Sequence, residues 1–226
     1  MSLSELASLP EEERRVLLDQ LLERLPPWLQ LIDSNALQPR FLDARFDETW
    51  RLFTGGTFEM GATAARLNRF YELHARYPLR MGFEMLHSPP RTLSLRPFLM
   101  MEQVIRDELD PSEPKVVISE HAEESRALLE QRGARLPTEA QWEFAWRAVQ
   151  RQPGHWVARE FELCADGWTT DLTALTDVDP LVPGGPAVLR TATFDLEAFE
   201  NVLPSRQPLT GIRMATVRGV LDVPTL

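Results

Sequence analysis

The amino-acid sequence predicts an α+β fold, and three observations carry that expectation. Two segments, residues 8–25 and 138–149, open with helix-capping signatures and continue with apolar residues at helical spacing. Short apolar runs bounded by glycine or proline read as strands, around residues 50–60, 92–100 and 187–190. Of the 226 residues, 43% are apolar and 26% charged, a balance that fits a chain with a real core and excludes a disordered one.

Taken in order, the first helix starts where Ser8 and Glu11 stand at capping-box spacing, with Pro10 tolerated in the first turn. Leu17, Leu18, Leu21, Leu22 and Leu25 supply its apolar stripe, and Pro26-Pro27 ends it. Trp28, Leu29, Leu31 and Ile32 predict a short second helix that packs back on the first. A helical extension over residues 1–40 is thus expected to precede a domain over residues 41–226. Leucine-rich helices ordinarily pack into a core; the sharper reading is a surface that docks a protein partner or a second copy of the chain.

Trp50, Leu52 and Gly55-Gly56 predict strand, turn and strand, with Phe58 and Met60 on the return. Thr63 is placed to cap a helix reaching about Arg76, and residues 79–90 read as irregular. Residues 92–100 form a strand broken by Pro97, and residues 115–118 a short apolar strand. Ser119 caps a helix carrying Ala122, Ala127, Leu128 and Leu129, with Gly133 as its stop. Thr138 and Gln141 form a second capping box, and Pro137 before the cap restricts the approach of the chain. Trp142, Ala145, Trp146 and Val149 follow at helical spacing, so the aromatic side of this helix must be buried. Short strands at residues 187–190 and 212–217 complete the reading.

Composition removes several function classes. No run of about eighteen apolar residues occurs, so no membrane-spanning helix is expected. Glu5, Glu11, Glu12 and Glu13 precede any long apolar run, unlike a secretory signal, and a cytoplasmic location is expected. A formal charge of −10 argues against nucleic acid as a partner. Arg66, Arg69, Arg76 and Arg80, opposed only by Glu72, read as a solvated helix face, with an anionic ligand or acidic partner as the alternative.

Cys164 is the only cysteine, so no disulfide and no cysteine-pair metal or redox site can form within the chain. Its neighbours Leu163 and Ala165 favour a buried structural thiol. Glu160, Glu162 and Asp166 lie close enough in sequence for paired-carboxylate chemistry, but nothing there signals a raised pKa, and they read as surface acids. Trp168, followed by Thr169, Thr170 and Asp171, has the mix of a polar-rimmed aromatic pocket. Gly184-Gly185, framed by Pro183 and Pro186, marks a turn and not a phosphate cradle. No P-loop, dinucleotide fingerprint or nucleophile elbow is present.

Several pieces, in this order, resemble the formylglycine-generating-enzyme family, also called the sulfatase-modifying-factor domain. They are Gly55-Gly56-Thr57-Phe58-Glu59-Met60-Gly61, Pro97-Phe98-Leu99-Met100, Arg135-Leu136-Pro137-Thr138-Glu139-Ala140-Gln141-Trp142-Glu143-Phe144 and Gly211-Ile212-Arg213. Val188-Leu189-Arg190 stands where that family has an arginine followed by paired glycines, and Glu162-Leu163-Cys164-Ala165-Asp166 is similar to its tryptophan-rich segment. The resemblance covers roughly residues 41–220. It implies a C-type-lectin-like fold with a twisted, largely antiparallel sheet, two main helices and many irregular loops.

The departures from that family bear on function. Its enzymes hold copper with two cysteines on a loop near the chain end, and residues 196–210 here contain none. The related sulfoxide synthases add three iron-binding histidines; here His74, His87, His121 and His155 include no pair at helical ligand spacing and read as ordinary histidines. Ala158-Arg159 stands where the family carries Gly-Asn in its calcium-supporting loop, and a guanidinium cannot replace an oxygen ligand. The segment between Arg147 and Ala158 is shorter than the family's, leaving Trp156, Phe161 and Trp168 to fill the space. The resemblance therefore implies a pseudoenzyme that binds or scaffolds, with no catalytic residue, metal or cofactor of its own. It puts Asp166, Trp168, Arg190 and Arg206 on the rim of any surviving groove. The alternatives are an oxygen-using non-haem iron enzyme whose ligands a partner completes, or a receptor domain for a small ligand.

Overall fold

A computed structural model describes residues 8–34, 38–65, 90–105, 122–149, 161–169, 177–182, 184–193, 203–208 and 215–224, together with isolated residues 6, 68 and 72. The described chain is α+β. Its elements in order are α1 (Glu11–Leu22), β1 (Leu29–Asp33), β2 (Arg40–Asp43), β3 (Glu48–Phe53), β4 (Gly56–Met60), β5 (Arg91–Leu95) and β6 (Phe98–Met101). They continue with α2 (Ala122–Gln131), α3 (Glu139–Val149), β7 (Glu162–Gly167), β8 (Ala187–Thr193), β9 (Leu203–Pro208) and β10 (Val220–Asp222). Among the described residues the strands form three antiparallel sheets, ordered β1-β2-β3-β6-β10, β4-β5 and β7-β8-β9.

Helix α1 begins at Glu11 with Pro10 in the cap position and no side-chain capping bond, so the expected Ser8 capping box is not what starts it. Three glutamates in its first turn suit the positive end of the helix dipole. Leu18, Leu21 and Leu25 are buried in one core with Phe41, Trp50, Leu52, Leu99 and Met101.

The second helix expected at residues 28–32 is instead strand β1. Leu29 is buried and its neighbour Gln30 exposed, and pairing with β2 supplies the backbone bonds that so short a helix would lack. The register shifts between Leu31 and Asp33, a bulge on an edge strand. The expected division between residues 40 and 41 falls inside β2.

The strands flanking Gly55-Gly56 are both present, yet they do not pair with each other. β3 lies between β2 and β6 in the large sheet, whereas β4 pairs with β5. The chain changes sheet at Gly55, whose φ is +68° and whose added Cβ would stand 2.2 Å from the carbonyl oxygen of Leu95. Beside it, Pro97 separates β5 from β6 as expected, and the chain crosses back between the same two sheets.

Helix α2 ends as predicted: Gly133 takes a φ of +71°, and the Ala134 amide donates to the carbonyl of Leu129 at 2.9 Å. The capping box of α3 is formed reciprocally. Thr138 Oγ1 accepts from the Gln141 amide, and Gln141 Oε1 accepts from the Thr138 amide, each at 3.1 Å. Trp142, Ala145, Trp146 and Val149 are all buried. Phe144 meets Phe58 and Phe98 edge-on, and Phe98 stacks on Phe53 at 5.2 Å, tying α3 to the crossing point of the sheets.

The strand expected at residues 187–190 is β8. Of the one expected at 212–217, the described part makes a single bridge, Glu162 to Thr216, and the last strand, β10, comes three residues later. Several expectations lie outside the described residues. They include most of the helix after Thr63 with Arg66, Arg69, Arg76 and Arg80, the strand at 115–118, Ser119, all four histidines, Trp156, Ala158-Arg159 and residues 211–213.

Candidate functional site

The acids of α3 and β7 converge on a set of arginines inside the protein. Glu139 and Glu143 lie one turn apart on α3, on the side turned inward by Trp142 and Trp146. Arg190 comes from β8 and bridges them: its Nη1 is 3.2 Å from Glu139 Oε2 and its Nη2 is 2.5 Å from Glu143 Oε2. The other oxygen of Glu143 accepts from the Gly61 amide at 2.8 Å and from Arg147 Nε at 2.9 Å. Arg147 Nη2 also donates to the Gly61 carbonyl at 2.6 Å. Both backbone polar groups of Gly61, the residue after β4, are therefore held by one ion pair.

Arg190 lies 5.2 Å over the Trp142 ring, and Trp142 Nε1 donates to Glu162 Oε2 at 3.0 Å. Glu162 in turn accepts two bonds from Arg218, at 2.8 Å and 2.9 Å. Arg218 Nη1 donates onward to the carbonyls of Met101 and Glu102. Asp166 is held by backbone amides. Its carboxylate accepts the Glu139 amide at 2.6 Å and the Val182 amide at 2.9 Å. None of Glu139, Glu143, Glu162, Asp166, Arg190 and Arg218 exceeds 3% exposure.

Electrostatics follow from this arrangement. Burial alone would raise the Glu143 carboxyl, but the charges of Arg190 and Arg147 and the Gly61 amide outweigh it and hold the group below the usual carboxylate range. Burial would likewise lower the Arg190 guanidinium, and Glu143 and Glu139 keep it raised. Both members of the pair stay charged. Cys164 is fully buried beside the network, and burial, reinforced by Asp166 and Glu139, pushes its thiol well up. A thiol that keeps its proton is a poor nucleophile and a poor metal ligand.

Of the expected rim residues, Asp166 and Arg190 are brought together through Glu139, which touches both. Trp168 is partly buried against Trp142, Trp146, Cys164 and Val188. Arg206 stands opposite Arg190 in the β8–β9 register, and its side chain lies outside the described residues. Thr170 and Asp171 are also outside them.

Glu162 and Asp166 are not surface acids, because guanidinium and amide donors compensate their burial. Glu139 and Glu143 are further members of the site. Their i,i+4 spacing on the aromatic side of a capped helix is the sequence signal that finds them. Arg218 carries no such signal.

A small cleft opens at the N-terminus of α3 between Met60, Arg91, Leu93, Glu139, Asp166 and Pro180. Its free volume of about 10 Å³ is at the threshold for a single water. Among the described residues no three His, Cys, Asp or Glu side chains converge as a metal-binding set. No protein-family model matches the chain, and no curated protein matches it either.

Proposed function

We propose that the chain is a non-catalytic binding or scaffolding module on a C-type-lectin-like fold of the formylglycine-generating-enzyme kind. One observation carries this reading: the acids of the motif-bearing elements α3 and β7 are bonded to arginines and amides of the same chain, inside the core. Charges so arranged hold elements together, and Glu143 is kept ionised by Arg190 and Arg147. The lone cysteine supports it from the sequence side, since that family's copper chemistry uses two.

A protein partner, or a second copy, would meet the outer side of the N-terminal segment, where Val16 and Ile32 are each about half exposed while Leu18, Leu21 and Leu25 face the protein's own core. Metal content and oxygen consumption of the purified protein test the reading. Neither stoichiometric metal nor turnover is expected; copper or iron at one equivalent together with oxygen uptake would end it.

A further inference from the structure

We propose that residues 177–182 are a strap that opens as a unit over the cleft at the N-terminus of α3. The strap runs from the edge of the small sheet to β7. At its first end, the Ser94 amide donates to the Asp177 carbonyl at 2.5 Å, and the Asp179 amide donates to the Ser94 carbonyl at 2.9 Å. Asp179 is latched to Arg96, accepting from its backbone amide and from its Nε, each at 2.8 Å. At the far end, Val182 donates to Asp166 and accepts from the Gly167 amide, both at 2.9 Å.

Three features make this connection the weak one. Its apolar burial is small: Pro180 and Val182 face inward, but Val178 and Leu181 are 49% and 50% exposed. The latch is a surface pair, with the Arg96 side chain 74% exposed, and water screens it. Asp179 also has a φ of +42°, a conformation that stores strain while the latch holds. Segments with few buried contacts open below the free energy of global unfolding.

The pivot is at the second end. Gly184 and Gly185 have φ of +73° and +76°, and Gly184 packs so closely on Gly167 that a Cβ there would stand 1.1 Å from its carbonyl oxygen. Lifting the strap about this wedge removes Pro180 and Val182 from the cleft wall. Asp166 and Glu139 then face solvent, and a space for one water becomes a site open to solutes. The motion is a property of the fold and holds whether or not the chain binds a partner.

Backbone hydrogen exchange on the full chain tests it. The amides of Ser94, Asp179 and Val182 are expected to exchange together, faster than those of Leu52 and Met101 in the large sheet. Asp179→Ala should speed Ser94 and Val182 by about fivefold and leave Leu52 and Met101 unchanged. Leu21→Val, which weakens the main core, should do the reverse. Strap amides that follow Leu21→Val, or a Val182 amide unmoved when Ser94 accelerates, would overturn the proposal. Should Asp179→Ala fail to fold, Arg96→Ala makes the same comparison.

Discussion

Arg190 Nη2 lies 2.5 Å from Glu143 Oε2, and neither side chain is exposed to solvent. The two residues are 47 positions apart, so this pair joins β8 to α3. Because Glu143 also holds the Gly61 peptide, one carboxylate ties together three parts of the chain. The bonding capacity of the pair is largely met, with Arg190 Nε buried and without a hydrogen-bond partner among the described residues, and removal of one member strands the other charge.

Acid should loosen this junction. Glu143 has a folded pKa below its ordinary value of 4.5, so the unfolded chain binds the proton more readily. Its contribution to stability is complete above about pH 4.5 and is lost as pH falls through the lower folded value. Glu102, which burial would raise but Arg40 and Arg51 hold down, acts in the same direction. Urea midpoints followed from neutral pH into the acid range should fall below that point. In Glu143→Gln the fall should be shallower, and an unchanged slope would assign the acid response elsewhere.

Thr138→Ala should cost about 1 kcal/mol through loss of the α3 cap, and Thr138→Ser much less, since the hydroxyl remains. Equilibrium denaturation of the two variants side by side separates the capping bond from loss of the buried methyl group. Equal losses would mean that the hydroxyl contributes nothing.

Two glycines should respond differently to alanine. At Gly167 the new Cβ would stand 1.1 Å from the Gly184 carbonyl oxygen, so backbone must move; the loss should reach about 3 kcal/mol or more. At Gly56 nothing lies within 4 Å, and only the φ of +107° opposes the change, at about 1 kcal/mol. Thermal unfolding of both variants gives the order directly.

What the sequence made legible was local. The α3 helix was readable because its cap, its period and its aromatic side all lie within twelve residues, and Gly133 marked the end of α2 for the same reason. Residues 28–32 read as a helix and form a strand because a short apolar run is compatible with either period, and only pairing with β2 decides it. The separation of β3 and β4 into different sheets depends on the close approach of Gly55 to Leu95, which no local pattern announces. The site was less legible: the sequence reading puts Asp166 and Arg190 on a groove rim, whereas both are buried, and their partners come from elements distant in sequence, since an acid written in a strand does not disclose what will meet it.

A double-substitution cycle on Arg190 and Glu143 reads most directly whether these buried charges hold the fold. Arg190→Met, Glu143→Gln and the combined variant are unfolded in urea under the same conditions. A structural role requires each single change to lose about 3–5 kcal/mol, and the combined change to lose less than the sum. A gain in stability from either single change would contradict it, because that is the behaviour of a charge kept at the fold's expense for the sake of a reaction.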